Sequence, residues 1–137
     1  MDCVFCAILA GELPSSRVYE DDRVMAFMDI NPATPGHLLV IPRAHAPYLA
    51  DLDPADAERM MAVAQRLAQA LRDSTVPTEG INLFLADGEV AFQEVLHAHL
   101  HVLPRTAGDG FGLTGGFTTP PREILDAQAA TVRAALS

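Results

Sequence analysis

The segment His97-Ala98-His99-Leu100-His101-Val102-Leu103-Pro104 sets three of the chain's five histidines at alternate positions, each followed by a small or apolar residue. On a β-strand, side chains at i, i+2 and i+4 share a face. The pattern therefore predicts a strand with three imidazoles on one side and Ala98, Leu100 and Val102 on the other. The second side suits a core. The first does not, because burying three imidazoles for packing alone requires hydrogen-bond partners for all of them. Solvated strand faces mix Thr, Lys, Glu and Ser instead of repeating one imidazole. The segment thus calls for a sheet with one apolar face and one chemically active face.

The chain that must build this sheet has 137 residues and 14.7 kDa, enough for one domain with its own core. Nine basic residues against 18 acidic ones give a formal charge of −9. Such a surface repels phosphate backbones and argues against a nucleic-acid polymer as partner, while leaving room for one nucleotide in a local pocket. No apolar run approaches the roughly 18 residues needed to cross a membrane, so no membrane partner is expected. The N-terminal "MDCVFCAILAGELP" has no basic stretch ahead of its apolar residues, which reads against a signal peptide and for a cytoplasmic location.

Around the histidines the elements fall into order. Residues 3–9 form a short apolar helix that Gly11 can close. "RVYE" (17–20) and "RVMAFMDI" (23–30) flank Asp21-Asp22 and read as a hairpin. "NPATPG" (31–36) is turn-rich and leads into the apolar run "HLLVIP" (37–42), a buried strand. Residues 53–74 are the clearest helix, with Asp53 as cap, Pro54 at the first position and a core stripe of Ala57, Met61, Ala64, Leu67, Ala68 and Leu71. Strands "INLFLA" (81–86) and "VLHAHLHVLP" (95–104) follow, separated by the Asp87-Gly88 turn. A glycine-rich stretch (108–117) precedes a last amphipathic helix starting near Thr119-Pro120-Pro121, with Ile124, Leu125, Val132 and Leu136 on its apolar side. Strands interrupted by one main helix imply an α+β fold with an antiparallel sheet of about five strands.

Imidazole can serve as nucleophile, general acid/base or metal ligand. Two alternate histidines can share one metal ion, but a third at i+4 lies about 13 Å from the first by strand rise. One cation cannot account for all three. A neutral His nitrogen can attack phosphorus to form a phosphoramidate while a neighbouring His or Gln donates to the non-bridging oxygens. Gln93, upstream on the same approach, is positioned for such a contact. Cys3 and Cys6 have the C-x-x-C spacing of a metal site. A thioredoxin-like redox pair would need a strand ahead of Cys3, where only two residues stand.

"HAHLHVL" matches the His-φ-His-φ-His-φ-φ signature of the histidine-triad (HIT) family of nucleotide hydrolases and transferases. "CVFCAILAGELPSSRVYEDDRVMAFMDINPATPGHLLVIPRAHA" (3–46), "AFQEV", "LPR" and "GDGFG" also resemble bacterial members of its Hint-like branch, so the resemblance covers roughly residues 3–112. It implies a HIT domain over residues 1–112 and an extension over 113–137 without an assignable counterpart. It also implies that His99 is the nucleophile attacking an α-phosphate, that His101 and Gln93 contact phosphate, and that His37 supports the triad. Asp29 is implied as the carboxylate that accepts both ribose hydroxyls. Phe5, Ile8, Phe27, Ile30 and Leu39 would form the slot for the base. Some bacterial HIT proteins resembling this one bind a structural zinc, and the matching residues are Cys3, Cys6, His45 and His97. All five histidines then have a task.

The implied activity is hydrolysis of purine nucleoside phosphoramidates or related nucleotide conjugates through a nucleotidyl-histidine intermediate, by a homodimer whose sheets join. The alternatives are a dinucleoside polyphosphate hydrolase or phosphorylase and, from another class, a zinc-containing nucleotide-binding module with little catalysis. The chain departs from the family at three points. Ala86-Asp87 stand where Asn is usual, Phe92 replaces Gly before Gln93, and Glu94 replaces Ser or Thr. These departures bear on the substrate rather than on the nucleophile.

Overall fold

The computed structural model describes residues 3–136. Helix α1 (Val4–Leu9) is capped by Cys3, whose Sγ accepts from the Cys6 N–H. Five strands follow, β1 (Arg17–Glu20), β2 (Val24–Met28), β3 (Leu38–Pro42), β4 (Gly80–Phe84) and β5 (Leu100–Arg105). They form one antiparallel sheet in the order β1-β2-β3-β5-β4. Helix α2 (Pro54–Asp73) lies between β3 and β4 in the chain and helix α3 (Arg122–Ala135) closes it. The fold is α+β, as the sequence implies.

Period-two alternation sorts the strands into two faces. Val24, Ala26, Leu38, Val40, Leu100 and Val102 meet Met60, Val63, Ala64, Leu67 and Leu71 of α2 in the main core. The intervening residues Met25, Phe27, Leu39 and Ile41 pack instead with Phe5 and Ile8 of α1. A six-residue helix cannot cover a five-stranded sheet, so part of this second face stays open beside β3 and β5. The β3 entry is fixed by Gly36, which has φ +90°, and a Cβ there would meet Val76 Cγ1 at 2.7 Å.

Three expectations need correction. The α2 stripe is rotated: Met60 and Val63 are buried with Ala64, Leu67 and Leu71, while Met61 is 51% exposed. On this phase the apolar residues enter the core, and Asp56 on the same side is paired, its Oδ1 at 2.7 Å from Arg23 Nη1. Strand β5 begins at Leu100 rather than at residue 95, so of the three histidines only His101 lies in the paired strand. Upstream, a 3₁₀ turn (Glu89–Ala91) and the left-handed Phe92 (φ 75°) bend the chain. The α3 helix starts where expected, yet none of its residues is buried.

Candidate active site

The four Cys and His residues near α1 come together. His45 Nδ1 stands 3.2 Å from His97 Nδ1 and 3.3 Å from Cys6 Sγ, and His97 Nδ1 lies 3.4 Å from Cys3 Sγ and 3.6 Å from Cys6 Sγ. A tetrahedral zinc with Zn–N about 2.05 Å and Zn–S about 2.3 Å has ligand-to-ligand edges of about 3.3–3.8 Å. The donor set therefore fits a closed four-ligand metal site. His97 Nε2 donates to the Pro42 carbonyl at 2.8 Å, which leaves the Nδ1 lone pair facing the cluster.

Two residues on, the same logic fixes His99. Its Nδ1 lies 2.7 Å from the His97 carbonyl, and a carbonyl only accepts, so Nδ1 carries the proton. The Nε2 lone pair is left free. The edge of His99's ring is held by Phe5 of α1, centroids 5.1 Å apart at 86°. Burial pushes the His99 pKa down, against the raising effect of the His97 carbonyl and of the Asp29 and Glu94 charges, so the neutral ring is favoured.

His37 and His101 form a second chain. The Ala33 N–H donates to His37 Nδ1 at 3.1 Å, so His37 carries its proton on Nε2. That proton is donated to His101 Nδ1 at 2.9 Å, with Asp29 Oδ2 3.5 Å away. His101 is left with an Nε2–H. Asp29, His37 and His101 also have donor atoms within metal-binding range of one another, but both His37 nitrogens are engaged in this hydrogen-bond chain. Burial, then the neighbouring His99 and His37, bring the His101 pKa down to about 3, and burial lowers that of His37. Phe84 stacks on His101 at 4.1 Å between centroids. This contact was not anticipated from the sequence, although Phe84 pairs directly with His101 across β4 and β5.

His99 and His101 line a cleft of about 680 Å³, within the roughly 300–1,000 Å³ of small-molecule sites. Phe5, Ile8, Phe27 and Leu39 supply its apolar wall and Asp29 a carboxylate. Ile30 also lines it but is 91% exposed, at the rim. His37 and Gln93 are not among the lining residues. The Gln93 amide donates to the Pro47 and Val95 carbonyls at 2.6 and 3.1 Å, and its Oε1 accepts from the Gly88 N–H. It reaches a phosphate only by giving these up. Asp87 accepts from the Leu49 N–H at 2.9 Å, and Phe92 and Glu94 stand on the cleft wall.

Comparison with known proteins identifies the family. A HIT domain is recognised over residues 10–108. A HIT-like protein of Mycobacterium tuberculosis, itself uncharacterised, is 42% identical over 137 residues, covering 100% of this chain and 94% of that protein. An adenylylsulfatase of Arabidopsis thaliana is 36% identical over 79% of this chain and 54% of its own length. An adenosine 5'-monophosphoramidase of Saccharomyces cerevisiae is 37% identical over 75% and 62%. Among solved structures, a HIT family protein from Bacillus anthracis superposes with a TM-score of 0.93 at 37% identity, over 99% of this chain and 98% of that one. A zinc-bound histidine-triad protein from Mycobacterium smegmatis is 43% identical with a TM-score of 0.78, over 98% of both chains. With the domain matched across most of the chain and the fold shared over 99% of it, this protein belongs to the HIT family.

Proposed function

We propose that the protein hydrolyses nucleoside phosphoramidates through a nucleotidyl intermediate on His99. The observation that carries this is the His97 carbonyl on His99 Nδ1, which leaves Nε2 of a neutral imidazole unprotonated in a cleft of nucleotide size. The base lies against Phe5, Ile8, Phe27, Leu39 and Ile30, and Asp29 accepts from the ribose diol. His99 Nε2 attacks the α-phosphorus, a P–N bond forms to the imidazole, and the P–N bond to the amine breaks. The electron pair stays on the amine, which takes a proton from water in the open cleft. Water then attacks the same phosphorus, the Nε2–P bond breaks with its pair returning to His99, and the water releases a proton that cancels the one consumed. His101 Nε2–H donates to a non-bridging oxygen throughout. His37 holds His101 in the tautomer this requires, and Gln93 ties down the loop beside it.

Cys3, Cys6, His45 and His97 hold one zinc ion in this reading. With four protein ligands the ion supplies no open position and acts structurally, tying α1 to the histidine segment. Elemental analysis of protein purified without added metal is expected to give one zinc per chain, lost in Cys3→Ser; a metal-free, equally stable wild type would refute the site. We also infer a homodimer, supported by β4 lying at the sheet edge with Leu83 and Phe84 partly exposed. Sedimentation at micromolar concentration tests it, and a monomer there would sink it.

Rapid quenching of wild type with an adenosine phosphoramidate tests the reaction. The expected result is a mass increase of one adenylyl group on the peptide bearing His99. Turnover of a dinucleoside polyphosphate alone would favour the sister reaction, and tight nucleotide binding with no turnover would favour a binding module.

A further inference from the structure

The cleft has an unusual charge balance for a site that handles phosphate. Among the described residues, its only ionisable side chains besides the neutral histidines are Asp29 and Glu94. The chain contains no lysine, and none of its nine arginines lines the cleft. Five of them are instead drawn into ion pairs elsewhere, Arg17 and Arg43 with Glu20, Arg23 with Asp56, Arg59 with Asp21, and Arg105 with Asp109. Sites that transfer polyphosphates surround them with Arg, Lys or divalent cations, which offset the charge of the departing group. This cleft offers none of these side chains.

The two carboxylates differ in their surroundings. Asp29 is engaged, accepting from the Asn31 N–H at 2.8 Å and facing His37. Glu94 is exposed and has no hydrogen bond or ion pair among the described residues. It is nevertheless firmly mounted. Gln93 before it is buried with three backbone partners, one of them the carbonyl of Val95 just after it. The Glu94 charge also reaches His99, where it acts on the imidazole. An unpartnered negative charge thus stands near the nucleophile, away from the carboxylate assigned to the ribose.

We propose that Glu94 selects the leaving group by charge, favouring amines that carry a second, positively charged group and rejecting anionic leaving groups such as sulfate, pyrophosphate or a second nucleotide. The inference rests on the phosphoramidate reading for its substrate class. Its electrostatic basis is simple: a distal ammonium next to Glu94 is attracted, whereas a distal anion is repelled and finds no cationic side chain in the cleft to offset the repulsion. Because Glu94 is exposed, the effect is moderate and screened by salt.

The test uses three adenosine phosphoramidates of equal length whose amine ends in an ammonium, a methyl or a carboxylate. Their kcat/KM values are compared in wild type, Glu94→Gln and Glu94→Asp, at low and high salt. Dissociation constants are measured in parallel for analogues in which a methylene replaces the bridging nitrogen, which cannot be cleaved. Wild type is expected to prefer ammonium to carboxylate by about tenfold or more in both measurements. The preference should persist in Glu94→Asp, fall to within about twofold in Glu94→Gln, and shrink as salt rises. A preference unchanged in Glu94→Gln, or absent from wild type, overturns the proposal. If wild type turns over none of the three, the hydrolase reading fails, and the uncleavable analogues still decide whether Glu94 discriminates by charge.

Discussion

On the α2 side of the sheet, Leu38, Val40, Leu100 and Val102 are sealed under Met60, Val63, Ala64, Leu67 and Leu71. One residue out of step along the same strands, Leu39 and His101 face a cleft that α1 covers only in part. Leu100 and His101 are neighbours in sequence, yet one is held by packing and the other by a directed chain of hydrogen bonds. The contrast separates two ways of storing information in a strand. The closed face needs volume and apolarity, and many sequences satisfy it. The open face needs particular atoms to carry particular protons, and each is set by one backbone group: the carbonyl of Pro42 for His97, that of His97 for His99, and the N–H of Ala33 for His37.

Substitutions on the two faces should therefore fail in different currencies. The largest effect is expected on the open face. His99→Ala removes the nucleophile and should lower phosphoramidate kcat/KM by about 10³-fold or more, while the denaturation midpoint stays close to wild type. Steady-state kinetics and urea melts on one preparation check both halves. Substantial residual turnover would mean that the free lone pair on His99 is not the attacking group.

The complementary change is Leu67→Ala on the closed face. It empties space between α2 and the sheet and should cost about 2–4 kcal/mol of stability, with kcat and KM unchanged below the unfolding transition. If turnover per folded molecule falls as well, the two faces are coupled through the strands.

How much of this division the sequence displays depends on the range of the forces that set it. The β1 strand at Arg17–Glu20 and the Asp53 cap of α2 are local, and they appear where the pattern places them. The strand's outward and inward residues at Leu100, His101 and Val102 are also local. The phase of α2 is not. In "RMMAVAQRLAQAL" the paired methionines and scattered alanines fit more than one stripe, and the one taken depends on packing against strands distant in sequence, with Asp56 paired to Arg23, 33 residues away. Likewise, the loss of strand pairing before Leu100 follows from the Phe92 turn and the tethered Gln93 amide, neither visible in a period-two pattern. The four donors at Cys3, Cys6, His45 and His97 span 94 residues, and only the family resemblance joins them in sequence.

A pH series sharpens the comparison, because only one face carries the histidines. The His101 pKa is down to about 3 in the fold, whereas histidine in an unfolded chain titrates near about 6.5. The fold favours the neutral ring, so its contribution is complete above about pH 6.5 and is lost as pH falls toward about 3. Stability should decline on acidification by up to about 1.4 kcal/mol per pH unit for each such group. Denaturation at closely spaced pH values should show a shallower slope for His101→Gln between about pH 6 and pH 4. Leu67→Ala should lower the whole curve without changing that slope. Equal slopes in wild type and His101→Gln would assign the acid sensitivity elsewhere.

The smallest expected effect has the opposite sign. Phe92 adopts φ 75°, a left-handed conformation that costs a non-glycine residue about 1 kcal/mol, and the residue is 87% exposed, with little burial to offset the strain. Phe92→Gly removes that strain while giving the unfolded chain more freedom, so a net gain of about 0.5 kcal/mol is expected in urea melts. The ring nonetheless stands on the wall of the cleft beside Glu94. The same substitution should therefore raise KM for phosphoramidates with bulky amines more than for those with small ones. A strained residue whose removal stabilises the fold but weakens substrate capture is one the open face keeps for its ligand, since the packing gives no reason to keep it. If Phe92→Gly gains stability with KM unchanged for every amine, the strain at this turn serves neither face.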